Sequence, residues 1–396
     1  MNLRILKYVL ICFTFSSINA QNITLADTIY CNYLGQEHGL LQLNIKAMAQ
    51  DKLGYLWAGT EDGLHRFNGY SFKPYVYNPE DSTTIQDDHI RGLQFENDTL
   101  WIATNTKGIH GFIPSQNKFF KAFGHYKNKD LNTGHGIFKL KKDVLLYATK
   151  NHLFVLNTKS NSEIFIPLEN NLIDSHVTGV ERIYQDIFWI GTSASGVLEF
   201  NYSTKTLKAL DILPTEEDIT LFKHNDLMFF GTKSGLFEYD VKTGIIIKTT
   251  LSAPVNCFYK MNNWQVYIGT KNGLYILNVK DRIVTPIVLQ TNNKGVYKTI
   301  DINTIIGDDK GNTWIGTEAN GIFHINDFQK KFSTIKLTVK EYPNIKSISA
   351  FQILKDKDST LWLGSKYGVI KYSPLNKQFK LYKTQNNPLI YTLVRD

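Results

Sequence analysis

The stretch Leu56-Trp57-Ala58-Gly59-Thr60-Glu61-Asp62-Gly63-Leu64-His65-Arg66-Phe67 recurs along the chain. Its pattern is an aromatic, a Thr or Ser three positions later, and then a glycine followed by an aliphatic residue. The pattern returns at Trp101-Ile102-Ala103-Thr104 with Gly108-Ile109, at Trp189-Ile190-Gly191-Thr192 with Gly196-Val197, and at Phe229-Phe230-Gly231-Thr232 with Gly235-Leu236. Further copies are Tyr267-Ile268-Gly269-Thr270 with Gly273-Leu274, Trp314-Ile315-Gly316-Thr317 with Gly321-Ile322, and Trp362-Leu363-Gly364-Ser365 with Gly368-Val369. A worn copy stands at Tyr147-Ala148-Thr149, with His152 in place of the second glycine. The aromatics of these eight copies lie 38 to 48 residues apart, so the chain is a repeat protein.

Each unit divides into four short runs. In the first unit these are Ile45 to Ala49, Tyr55 to Thr60, Leu64 to Phe67 and Ser71 to Val76, cut by turns rich in Gly, Asn and Asp. Aromatic and β-branched runs of this length read as antiparallel strands. A four-stranded unit of this size is one blade of a β-propeller. The motif residues then have mechanical tasks. The aromatic fills the space between blades, burying roughly 150–250 Å². The first glycine admits backbone or a neighbouring ring, and the second suits a turn with positive φ. The fold class expected is all-β, a seven-bladed ring followed by the start of a second, with an eight-bladed ring as the alternative.

The copies resemble the two-component regulator propeller repeat, whose usual form is close to D-x-x-G-x-L-W-x-G-T-x-x-G-L-x-x-Y/F. Asp51-Lys52-Leu53-Gly54-Tyr55-Leu56-Trp57 through Phe67 matches it nearly throughout, and Glu37-His38-Gly39-Leu40 is similar to the lead-in before the first such repeat. The resemblance covers about residues 30 to 396. It implies the ligand-sensing, extracytoplasmic region of a hybrid two-component regulator, in which propellers usually precede a membrane helix and a histidine kinase. It also implies recognition of oligosaccharides released during glycan breakdown, and control of the genes that use them.

Residues 1–20 read as a secretory signal peptide: Arg4 and Lys7, an apolar run from Tyr8 to Phe15, and Ala20 at the end. An uncleaved anchor is the alternative. The layout expected is a propeller over 22–335, with the eighth repeat and the first strand of a ninth over 336–396; pairing of the strand around Ile29 to Leu34 with a late blade would close the ring and remove exposed edges. Ile390, Leu393 and Asp396 repeat the spacing of Ile45, Met48 and Asp51. The export signal makes the expected location periplasmic. Net charge is +8, but the lysines are scattered, which suits a solvated surface better than nucleic acid. Membrane contact is expected only through downstream segments, as is any homodimer. Past the leader the cysteines are Cys31 and Cys257; buried thiols are expected, a disulfide between them being the alternative.

Nothing in the motifs points to an enzyme. The ten histidines show no zinc-helix spacing, and no phosphate-binding glycine loop or kinase motif is present. Gly191-Thr192-Ser193-Ala194-Ser195-Gly196 mimics a nucleophile elbow but falls on the recurring turn. No catalytic residue, metal ligand or cofactor is expected. Function is expected at the mouth of the central funnel, where the residues that precede the inner strands meet the turns between second and third strands. The first set supplies Asn44, His89, His135, His176, Asp218 and Asp301; the second supplies Lys233, Lys271 and Asn272. A ring of such groups can bind the hydroxyls of an oligosaccharide or another small ligand. The competing readings are polar caps that only bind water, a secreted binding scaffold without signalling, and a propeller enzyme acting on glycans.

Overall fold

The computed structural model describes residues 27–123, 133–149, 152–167, 175–213, 216–291, 295–326, 350–356, 360–373, 378–382 and 390–393. The expected signal peptide at 1–20 lies outside them. The chain divides into two compact units, 1–330 and 331–396. No helix among the described residues is long and apolar enough to cross a membrane.

The first unit is a ring of seven antiparallel sheets. Six blades take their strands in chain order, inner to outer, over 47–75, 90–123, 134–167, 177–210, 220–248 and 255–291. Among the described residues the seventh has three strands of its own, within 302–326. Its outer place is filled from the other end of the chain by a closure strand, Asp27–Leu34. Leu34, Tyr33 and Asn32 pair antiparallel with Ile322, Phe323 and His324, while residues 27–31 run parallel to residues 287–291 of blade 6. One strand thereby covers two sheet edges that would otherwise present open backbone groups.

The repeat motif explains why the sheets pack. The aromatics of the seven copies, from Trp57 to Trp314, are each no more than 7% exposed. All but Tyr147 wedge against the next blade, Trp57 among Ile90, Leu100 and Phe112, and Trp189 among Ile219, Leu221 and Phe230; Tyr147 of the worn copy packs back on Trp101, Ala103 and Ile109 of the preceding blade. Trp314 meets Ile45, Met48 and Leu56 of blade 1, which closes the circle. The first glycine of the motif does not face a ring. A methyl at Gly59 would stand 2.4 Å from Ile90 Cγ2, and at Gly316 2.8 Å from Ile45 Cγ2; at Gly191 it would meet the backbone oxygen of Ile219 at 1.8 Å. The neighbour admitted is the inner strand of the next blade. Ile219 N–H donates to Thr192 O at 3.0 Å and Ile45 N–H to Thr317 O at 2.9 Å, so the same contact recurs where the ring closes.

The motif Thr also has a task. Its buried hydroxyl donates to the carbonyl of the residue in the second-glycine position in all eight copies, at 2.8–3.3 Å, from Thr60→Gly63 to Ser365→Gly368. The worn copy keeps this bond through Thr149 and His152, although the glycine is lost. Gly63 and Gly235 hold φ of 105° and 127°, where a β-branched residue would be strained. In the first unit the result is a set of seven stapled turns at one end of the ring.

The lead-in at 35–44 is tied to blade 1 by His65. This ring is fully buried, and its Nε2 accepts the Leu41 N–H at 3.2 Å. Burial pulls its pKa from 6.5 to about 4. The unfolded chain therefore takes up a proton near pH 6.5 that the folded chain refuses until about pH 4. Stability should fall as pH drops through that window, by up to about 3 kcal/mol. Urea midpoints at neutral pH and near pH 4.5 should show the fall, and His65→Gln should flatten much of it. An unchanged slope in the variant would place the effect elsewhere.

Cys31 is buried and Cys257 partly so; both are free thiols rather than a disulfide, and burial pushes each up to about 12. Neither is a nucleophile at neutral pH.

The second unit holds one further four-stranded sheet, within 350–382. Ile390 N–H donates to Ser365 O at 3.2 Å, the bond that Ile45 makes to Thr317 in the ring. Residues 390–393, where the first strand of a ninth repeat was expected, form no strand among the described residues.

Candidate functional site

Where the seven inner strands converge, a cavity of about 740 Å³ is lined by polar groups from every blade. Its chemistry begins in the backbone. Five inner strands carry a β-bulge just after their first residues, and the extra residue is Arg91, His135, Thr178, Asn256 or Asn303. A bulge lifts one residue out of the ladder and re-aims its side chain. All five line the cavity, while Ile90, Val177, Val255 and Ile302, each one position earlier, are buried in the sheets. In blade 1 Lys46 reaches the same place; its N–H donates to Gly59 O at 2.9 Å.

The two sides of the cavity differ. Between blades 7 and 1, Lys46 Nζ lies 3.3 Å from Glu61 and 3.4 Å from Glu318. Glu318 also accepts from Asn44 at 3.0 Å and from Asn303 at 2.7 Å, which makes a closed network. Asn256 similarly donates to Asp301 at 2.9 Å. Across blades 2 to 4, His135 and His176 stack with centroids 4.8 Å apart and planes 20° from parallel. Arg91 Nε donates to Asn105 at 3.1 Å, and its guanidinium makes no ion pair among the described residues.

Burial holds His176 below the usual imidazole value and the Arg91 charge adds to this, against the pull of Asp218. His89 is lowered in the same way, by burial first and by Arg91 second. Both are then neutral at pH 7, each with one donor and one acceptor nitrogen. Burial pushes the Asp301 carboxyl up, and Lys271 opposes it.

Of the nine residues expected at the mouth, His135, His176, Asp218, Lys271 and Asp301 line the cavity. Asn44 stands behind Glu318, and His89 Nε2 lies 3.7 Å from Glu61, beyond hydrogen-bond range. Lys233 is on the rim, paired with Glu217 at 2.5 Å and Asp218 at 3.5 Å. Asn272 is placed apart from the rest: it lines a separate cavity of about 250 Å³ with Ser252 and Tyr275. Successive residues of a tight turn point apart, so only its neighbour Lys271 faces the channel. Lys46, Arg91, Thr178, Asn256 and Asn303 were not foreseen. Their one signal is a polar residue just after the aliphatic start of each inner strand, and the bulge that turns it inward has no sequence motif. Among the described residues, no group of three or more His, Cys, Asp or Glu could hold a metal ion.

Comparison with known proteins agrees with this architecture. The two-component regulator propeller family matches residues 39–62. Histidine kinase P4 of Formosa agariphila is 39% identical over 84 residues, which is 21% of this chain and 6% of that protein. The extracellular domain of a hybrid two-component system from B. thetaiotaomicron superposes with a TM-score of 0.65 at 18% identity, over 91% of this chain and 55% of the other. The extracellular domain of a B. thetaiotaomicron one-component system gives 0.61 at 16% identity, over 89% and 53%. This chain spans about half the length of those two domains. At such identities the likeness is one of fold. The chain is a β-propeller protein, and the first copy of its repeated motif, within residues 39–62, matches the two-component regulator propeller family.

Proposed function

We propose that this propeller is the ligand-recognising input of a two-component signalling protein, placed outside the cytoplasm, and that it reads a small oligosaccharide at the channel mouth. The observation that carries the reading is the ring of polar residues around one cavity, five of them bulged, with a polar contribution from every blade. Its size lies within the roughly 300–1,000 Å³ of small-molecule sites. Amides and neutral imidazoles suit sugar hydroxyls, and the Arg91 guanidinium suits an acidic group on the sugar. The leader-like residues 1–20 and the extracellular origin of the two similar domains support the location.

The reading is of binding rather than catalysis. The carboxylates at the cavity are engaged, Glu318 by Lys46 and two amides, Asp301 by Asn256, and Asp218 by Lys233. Signalling then requires that the ligand bind one arrangement of the longer protein better than another, since equal affinity shifts nothing.

Calorimetry with galacturonate and sulfated tetrasaccharides tests this. Replacing Arg91 and His176 together by alanine should weaken binding at least about tenfold, with stability changed by no more than about 1 kcal/mol. Equal affinity in the variant would remove the channel as the site. New reducing ends during incubation would replace the binding reading with an enzymatic one.

A further inference from the structure

A second and larger cavity, about 870 Å³, runs along the seam where the ring closes. One wall is residues 31–34 of the closure strand with Trp314 and His324 of blade 7; the other is residues 53–56 and 67–70 of blade 1. Its lining is unlike that of the channel. Tyr33, Tyr55, Phe67, Tyr70 and Trp314 bring five aromatic rings, and Asn32 and Asn68 bring amides. Among the described residues that line it there is no lysine or arginine, and Glu37 is the single carboxylate.

Trp314 supplies a second, independent observation. In blade 1 the Trp57 indole N–H donates to Asp51 Oδ2 at 3.0 Å. Blade 7 has the same spacing, Asp308 to Trp314, but not the bond. Asp308 Oδ2 is occupied instead by Asn312 Nδ2 at 2.9 Å and Gln50 Nε2 at 3.3 Å. Asn312 stands where blade 1 has Tyr55, and that exchange strands the indole. Trp314 is 5% exposed, and its Nε1 is buried without a hydrogen-bond partner. Native proteins pair such groups almost always. His324 lies flat on the same indole, 5.2 Å away and 9° from parallel, with its own Nε2 held by Asn312 at 2.9 Å.

We propose that the seam groove is a binding site for a neutral sugar segment, separate from the channel. Aromatic faces accept the C–H faces of sugar rings, the amides and tyrosine hydroxyls meet the hydroxyls, and the stranded indole N–H gains an acceptor. An anionic ligand would find no lysine or arginine in the described lining, so the groove favours uncharged sugars where the channel favours acidic ones. Tyr70, 87% exposed at the rim, is the platform a ligand would cover.

The test titrates the chain with cellotetraose, laminaritetraose, xylotetraose, mannotetraose and maltotetraose by calorimetry. At least one should bind. Tyr70→Ala, an exposed change, and Trp314→Phe, which keeps the ring and removes the N–H, should each weaken it about tenfold. Trp264→Ala, an exposed tryptophan of blade 6, should leave it unchanged. Three results would overturn the proposal: no binding by any of the five, binding indifferent to both seam variants, or an equal loss with Trp264→Ala. The acidic-sugar titration of the channel reports separately, so either site can fail alone.

Discussion

Trp57→Ala should lower the unfolding free energy by about 3–5 kcal/mol, the range for removing a large buried aromatic. The indole is 0% exposed and is held between Tyr75 and Phe112, with ring centroids 5.7 and 5.3 Å away. Alanine leaves a cavity between two sheets whose backbones are pinned by stapled turns, so collapse into the space is limited. It also strips Asp51 of the donor at its Oδ2. Phenylalanine separates the two effects. Trp57→Phe keeps most of the packing but loses that bond, whereas Trp314→Phe removes a donor that has no partner. The first should cost about 1–2 kcal/mol more than the second, since an unmade hydrogen bond has nothing to lose. Urea unfolding of the three variants measures this. Equal midpoints for the two phenylalanine variants would show that the Asp51 bond carries no weight.

Removing residues 27–34 should have the larger consequence. Blade 7 would lose its fourth strand, and blade 6 would lose the strand that runs along residues 287–291. The truncation also takes Cys31 and Leu34 out of two cores. Two open sheet edges are then offered for pairing with other chains. The expected product is an assembly of several chains rather than a closed monomer, with faster amide exchange over residues 287–291 and 322–324. Size-exclusion chromatography with hydrogen exchange decides the matter. A monomer with unchanged protection at both edges would mean that the aromatic wedges alone hold the circle.

The architecture was largely legible in the sequence because each blade is specified locally. Trp57, Gly59, Thr60 and Gly63 lie within seven consecutive positions, and every contact they govern is inside one sheet or with the next sheet round the ring. Periodicity therefore exposes the unit. Two details escaped. The first glycine makes room for the aliphatic start of the next inner strand, where a ring had been one expectation, and the motif Thr is a turn staple, which only hydrogen-bond geometry displays. The closure strand carries no copy of the motif, yet it completes blade 7 through partners nearly three hundred residues away.

The site was legible only in part, for a different reason. Of the residues expected at the starts of the inner strands, His135, His176, Asp218 and Asp301 line the cavity. Which side chain faces the lumen one position later depends on a bulge, a one-residue slip in pairing that reverses the facing of the next side chains along the strand. Arg91 and Asn303 are in the channel for that reason.

What the sequence determined by itself is the blade: its four strands, its wedge aromatic and its turn glycines, all set by residues close in the chain. What the tertiary structure decided is seven blades over the alternative eight, which two sheet edges the expected closure strand joins, and the inward turn of the bulged residues. It also decided the fate of Trp314, whose indole N–H has the same local spacing as that of Trp57 but a different partner chemistry. Each of these depends on groups far apart in sequence, and no local pattern encodes which of them will meet.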